Sequence, residues 1–326
     1  MNGKINIDTK DRKLLFELDF NARQSNLSLA KKIGLPEKEV EKRIYRLIQK
    51  GVVKGFHPVL NLPKLGYLYC RFLLTLQNCP KEKEEDIIDY LINHPKVFWL
   101  FRMQGIYDFL IVMWADSITQ FNDFVDEIEN KFGKFIKKRL ETIGTDIVYF
   151  QSRFLTGTQK TKEIHIKEAE KKEPQIDKLD KRILQLLSIN ARFSPKELSL
   201  NIKEKEKLIV ERIKRLERIK VIEGYRPLID HIILGYTWYK IWLNINKTSQ
   251  KAFRQLWKQI KDSPLTLYTV EGIGLPADLE IEVMVNSNQE LFDFINKMRI
   301  RFPAMIEDYT TVMFIEALKE LYLPFY

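Results

Sequence analysis

Two stretches of the chain place cations where they could neutralise a polyanion. In EKEVEKRIYRL (37–47) the basic residues are Lys38, Lys42, Arg43 and Arg46; in EKLIVERIKRL (206–216) they are Lys207, Arg212, Lys214 and Arg215. Apolar residues recur at helical spacing, Val40, Ile44, Leu47 and Ile48 in the first stretch, so the cations fall on the other faces. Lys and Arg on such a helix take phosphate charge and release counterions, and side chains in its first two turns can reach base edges. Arg23 with Ser25, and Arg192 with Ser194, stand at the entry to these stretches in NARQS (21–25) and NARFS (190–194), where they could contact a phosphate backbone. Charge follows the same division: residues 1–60 carry +6 and residues 177–232 carry +5 of a formal +10, which leaves the rest of the chain close to neutral.

Other chemistry is harder to assemble. The four histidines, His57, His94, His165 and His231, are scattered, and His94 reads as a solvated surface residue. There is no Gly-rich phosphate loop, no Ser/His/Asp set at a recognisable spacing, and no metal-ligand cluster. Cys70 and Cys79 are too few for a disulfide framework and read as free thiols. The opening MNGKINIDTKDRK has no apolar leader, and no run of about 18 apolar residues follows, so the expectation is a cytoplasmic chain without a membrane partner.

The elements that position the cations occur twice. Residues 8–67 align on 177–236 without a gap, with about one position in three identical where chance gives roughly one in twenty. In each copy Asp8 or Asp11 (Asp177 or Asp180) can cap a first helix, and in copy one Ser28 can cap a second helix that turns at Gly34-Leu35-Pro36 into the basic third. The strand-like GVVKGFHPV (51–59) follows, giving a winged helix-turn-helix whose third helix faces the major groove. Copy two replaces Gly34 with Lys203, Lys42 with Glu211 and Tyr45 with Lys214, so its turn is weaker and its contacts differ. After each basic module the pattern becomes strand, helix, strand, strand, helix, strand, as LYCRFLLTL (68–76) and TWYKIWLNI (237–245) begin it, which is the split βαβ arrangement.

NARxS (21–25), VxxRIxRL (40–47), GVVKGF (51–56) and GxYD (105–108) together resemble the Lrp/AsnC (feast/famine) transcriptional regulators, here in two tandem copies. The resemblance implies an α+β fold with two winged helix-turn-helix domains, each followed by a ferredoxin-like βαββαβ domain of the RAM type. The expected boundaries are 1–62 and 177–232 for the helical domains, 65–156 and 234–326 for the RAM-type domains, and 157–176 for a charged linker or helical spacer. It also implies a pseudo-dimer that binds double-stranded DNA, an amino-acid-like effector at the turns, and oligomers of such chains. The effector residues by resemblance are Gly105, Tyr107 and Asp108 and, in copy two, Gly274 and Asp278. There Gly-Leu-Pro-Ala-Asp (274–278) replaces Gly-Ile-Tyr-Asp, so Ala277 stands for Tyr107 and the two effector sites are expected to be unequal. Siroheme-decarboxylase-type proteins resemble the same architecture, but RMQG (102–105) offers an Arg and no His, and no acid/base set is evident. The expectation is therefore a non-enzymatic regulator with no catalytic residue, cofactor or metal. The alternatives are that enzyme, or an effector-sensing scaffold whose helical units no longer bind DNA.

Overall fold

The computed structural model describes residues 4–159, 162–167, 176–246 and 249–323. Helix α1 (Thr9–Leu18) starts where it does because Asp8 accepts the Asp11 backbone N–H at 2.7 Å while the Asp11 side chain accepts that of Asp8, which satisfies two of the helix's orphan donors. Helix α2 (Asn26–Ile33) is capped by Ser25 rather than by Ser28, and Gly34 in the left-handed region ends it. Helix α3 (Glu37–Gln49) buries Val40, Ile44 and Leu47 but leaves Ile48 40% exposed, so the apolar stripe is one residue narrower than expected.

Strand β1 (Val53–Leu60), strand β2 (Leu68–Leu76), helix α4 (Lys81–Asn93), strands β3 (Val97–Gln104) and β4 (Phe109–Ala115), helix α5 (Ile118–Phe132) and strand β5 (Ile136–Phe150) follow. Residues 163–167 were expected in a linker or helical spacer; they form strand β6 (Glu163–Lys167), because Ile164 and Ile166 alternate inward and pair with Tyr149 and Ile147 of β5. Helices α6 (Lys178–Ile189), α7 (Pro195–Ile202) and α8 (Glu206–Arg218) then precede strand β7 (Ile222–Ile229). Lys203 takes φ +64 where Gly34 takes φ +68, so the turn survives the loss of glycine and carries the strain of a left-handed side chain instead. The chain ends with β8 (Thr237–Ile245), α9 (Gln250–Asp262), β9 (Thr266–Ile273), β10 (Leu279–Val285), α10 (Asn288–Arg301) and β11 (Ile306–Glu320).

Strand β1 was expected to act as a wing beside DNA. It pairs instead with β7 as an antiparallel ribbon in which His57 lies opposite Arg226, Phe56 opposite Pro227 and Pro58 opposite Tyr225. The remaining strands form one sheet in the order β2-β4-β3-β11-β8-β10-β9-β5-β6, and a further pairing of β2 with β5 closes eight of them into a ring. Closure depends on the two longest strands. The first part of β5 pairs with β2 and its second part with β9, while β11 pairs first with β8 and then with β3.

Alternation decides what each strand shows to either side. Cys70, Phe72 and Leu74 of β2, with Phe109, Ile111 and Met113 of β4, pack under α4 and α5. Ile241, Leu243 and Ile245, with Ile281, Val283 and Val285, pack under α9 and α10. The alternate positions face the inside of the ring, and many of them are aromatic or charged: Tyr69, Arg71, Trp114, Trp238, Lys240, Trp242, Glu280 and Glu282. Among the described residues, no helix is long and apolar enough to cross a membrane.

Candidate functional site

Most of the cations singled out in the sequence serve the fold. Arg43 donates to Asp8 at 2.7 Å and to Asp11 at 2.8 Å, and Arg46 donates to both Asp11 oxygens at 2.9 Å. Arg212 and Arg215 bind Asp177 and Asp180 in the same manner. Burial raises the Asp8 carboxyl, but the hydrogen bond and charge of Arg43 together with the backbone N–H groups of Asp11 and Lys10 outweigh it, so Asp8 titrates below the usual range. Arg23 reaches across to the carbonyls of Ala191 and Phe193, while Arg192 donates to the Ala22 carbonyl at 2.6 Å and to Asn26 at 3.0 Å. These two arginines staple the helical units to each other, and Ser25 and Ser194 are helix caps. Lys38, Lys42, Lys207 and Lys214 remain exposed on α3 and α8, where a polyanion could meet them.

The expected effector turns are packed rather than hollow. Gly105 (φ +146) would place a Cβ 3.2 Å from the Thr311 carbonyl, and Gly274 (φ +74) would place one 2.6 Å from that of Glu141. Tyr107 is buried edge-on against Trp242, 5.9 Å between centroids. Asp108 accepts the Leu76 N–H at 2.7 Å and Asp278 that of Ile245 at 2.9 Å, so both carboxylates tie their own turns. None of these five residues lines a cavity described here. His94 is not solvated either: it is 8% exposed, with its Nε2 3.5 Å from Glu127, because Phe124 and Tyr90 close over the ring.

The notable concavity lies inside the strand ring under the β1–β7 ribbon. A cavity of about 140 Å³, open to solvent at its mouth, lies there. Its walls include Tyr69, Trp99, Trp114, Tyr149, Trp238 and Tyr268, and its roof includes His57, Arg226 and His231. The His57 ring stacks on Tyr322 at 3.6 Å and 11°, and His231 meets Trp238 edge-on at 5.5 Å. Burial pushes the two imidazoles down to about 3 and about 4, so both are neutral at pH 7 and could ligate a metal centre carried by a ligand. Arg226 is held by Asp19 at 2.5 and 2.9 Å and donates to the Tyr268 hydroxyl at 3.0 Å. The indole nitrogens of Trp99 and Trp238 are buried and have no hydrogen-bond partner among the described residues, an arrangement that favours an acceptor arriving from outside.

Deeper in the ring, Glu280 accepts from Arg71 at 2.5 Å, from Trp242 at 2.8 Å and from Lys240, which also donates to Glu282 at 2.7 Å. Burial raises Glu280, yet Arg71 and then Lys240 outweigh it and bring it down to about 2. Glu282 faces the cavity, and there burial wins and its carboxyl is raised. The sequence did hold a signal for this site. In the gapless alignment His57 faces Arg226 and Leu62 faces His231, so the two aligned segments differ where a ribbon strand meets inward aromatic rings.

Residues 7–48 match the AsnC-type helix-turn-helix domain. The transcriptional regulator LysM of Saccharolobus solfataricus is 30% identical over 128 residues, 39% of this chain and 87% of that protein. LrpA of Pyrococcus horikoshii is 32% identical over the same shares of each. Across the whole length the fold resembles the siroheme decarboxylase NirDL, with a TM-score of 0.61 at 13% identity, covering 97% of this chain and 94% of that one. A co-complex of NirDL with an iron-uroporphyrin III analogue gives the same score at 14% identity. The match over the full chain is to an enzyme, which overturns the expectation of a non-enzymatic protein. With a helix-turn-helix model on its first helices and regulators at 30% identity or more covered over most of their length, this chain belongs to the Lrp/AsnC family.

Proposed function

We propose that the chain binds a planar tetrapyrrole in the ring cavity and decarboxylates one of its acid side chains. The observation that carries this reading is the make-up of the cavity: aromatic walls under a roof of two neutral imidazoles and an arginine. The tetrapyrrole would be substrate. In the reaction the bond between the carboxylate carbon and its neighbour breaks, CO2 leaves, and the electron pair left on carbon takes a proton. A carboxylate that enters beside His57 or His231 favours the protonated imidazole, which becomes the acid that delivers this proton. Arg226, fixed by Asp19, would orient the acid arm. Incubating the purified chain with siroheme and following loss of CO2 by mass spectrometry tests the reading. His57→Ala and His231→Ala should each retain ring binding by absorbance and lose roughly 10²–10⁴-fold in rate. Unchanged turnover in both variants would defeat it.

In this reading the chain is a tandem duplication, with helical units at 1–62 and 177–232 and βαββαβ units at 65–156 and 234–326. Support comes from the gapless alignment and from the ribbon register, in which position 57 meets position 226, its aligned counterpart. A second reading, a DNA-binding regulator with an amino-acid-like effector, is favoured by the family and by the exposed Lys38, Lys42, Lys207 and Lys214. Gel shifts at several salt concentrations test it, since phosphate contacts impose a steep salt slope.

A further inference from the structure

We infer that the ligand site extends past the cavity under the ribbon: the tetrapyrrole enters by displacing Tyr322 from the His57 ring, and then spans that cavity and a second hollow behind the end of the chain. This rests on the tetrapyrrole reading above and adds how the site opens and what receives the outer acid arms. A hollow of about 140 Å³ holds little more than one benzene-sized molecule, which fits a cavity of about 150 Å³. Pockets for cofactor-sized ligands run from roughly 300 to 1,000 Å³. A second hollow of about 480 Å³ lies between α6, α7 and residues 320–323. Glu320 and Tyr322 border both hollows, so the end of the chain is the partition between them. Joined, the two reach the size that a tetrapyrrole needs.

The partition is lightly tied. Strand β11 ends at Glu320, and the Leu321 N–H donates to the Phe98 carbonyl at 2.8 Å. Among the described residues, Tyr322 and Leu323 make no backbone hydrogen bond, and Tyr322 is held through its side chain instead. Its ring covers one face of His57 at 3.6 Å and 11° and meets Trp99 edge-on at 6.1 Å, while its hydroxyl donates to Glu320 at 3.2 Å. A flat ligand offers His57 and Trp99 the same kind of contact over a larger area, so it can take the place of Tyr322. Behind the partition, the Ser188 Oγ is buried with no hydrogen-bond partner among the described residues, and the exposed Arg182 guanidinium makes one long bond, 3.4 Å, to the Asn201 carbonyl. Both can donate to a carboxylate on the outer edge of the ring.

Stopped-flow absorbance of the full chain mixed with iron uroporphyrin III reads the entry of the ring. Tyr322→Ala should speed association by about 10-fold or more with no loss of affinity, because it removes the occupant that the ring must displace. Arg182→Ala should weaken binding by about 5- to 10-fold. In the wild type, saturation with the ring should speed hydrogen exchange at the Leu321–Leu323 amides relative to the free chain. Association unchanged or slower in Tyr322→Ala, or affinity unchanged in Arg182→Ala, overturns the inference while the tetrapyrrole reading stands. If the Tyr322 variant does not fold, exchange at those amides that stays the same or slows on ring binding overturns it. Failure of the wild type to bind the ring overturns both.

Discussion

The helical units at the two ends of the ribbon are chemically alike, and the two walls of the ring beneath them are not. Asp8, Asp11, Arg43 and Arg46 in one unit answer to Asp177, Asp180, Arg212 and Arg215 in the other, joined by the same ion pairs. In the ring, Val112 lies opposite Arg71 on one side while Glu282 lies opposite Lys240 on the other, and Leu110 opposite Leu73 contrasts with Glu280 opposite Trp242. Residues that only hold a fold are free to stay the same in both places. Inside the ring the residues have diverged, so one wall is apolar where the other holds buried charge.

The largest test of this contrast is Glu280→Ala, which leaves Arg71 and Lys240 buried without their shared carboxylate. It should cost about 3–5 kcal/mol in urea unfolding. If it costs under about 1 kcal/mol, the acidic wall is not an electrostatic element. Asp11→Ala and Asp180→Ala remove equivalent carboxylates from the helical units and should each cost about 2 kcal/mol, matching each other closely. A marked difference between them would break the likeness of the units.

Acid should bear on the cavity roof in particular. An unfolded imidazole takes up its proton near pH 6.5, whereas the folded ones do so only near 3 for His57 and near 4 for His231. The unfolded chain therefore binds more protons through this window, and stability falls as pH drops below about 6.5. Replacing both with Phe should flatten thermal stability between pH 6.5 and 4. Gly34→Ala and Lys203→Gly should shift stability by about 1 kcal/mol in opposite directions, destabilising and stabilising, because both positions have positive φ. Smallest of all, Lys42→Ala should change stability by no more than about 0.5 kcal/mol, yet lower the salt slope of any DNA binding by about 1.

The sequence made the secondary structure legible where periodicity and capping agree, as in α1 with Asp8 and Asp11 or β4 with its unbroken apolar run. It could not show that β1 would leave its own helical unit to pair with β7, since both strands alternate in a way that suits a wing equally well. Nor could it separate a phosphate-binding arginine from one held by a carboxylate. Arg43 and Lys42 are neighbours in sequence, yet one is locked to Asp11 and the other is exposed. The ring cavity was hidden for the same reason: Tyr69, Trp114 and Trp238 alternate like any core residues, and only three-dimensional closure leaves space between them. His57 and His231, 174 positions apart in sequence, share a roof only because the ribbon sets β1 beside β7, two residues beyond which His231 lies.

Strands β5 and β11 begin their ladders among nearer segments and finish them in the opposite half of the molecule. Severing the polypeptide between the halves would thus leave each piece with raw hydrogen-bonding borders that its own residues cannot fill. Co-expressed, the pieces should reassemble into the uncut architecture; made singly, each should seek a twin, and the mismatched walls would then become two identical ones.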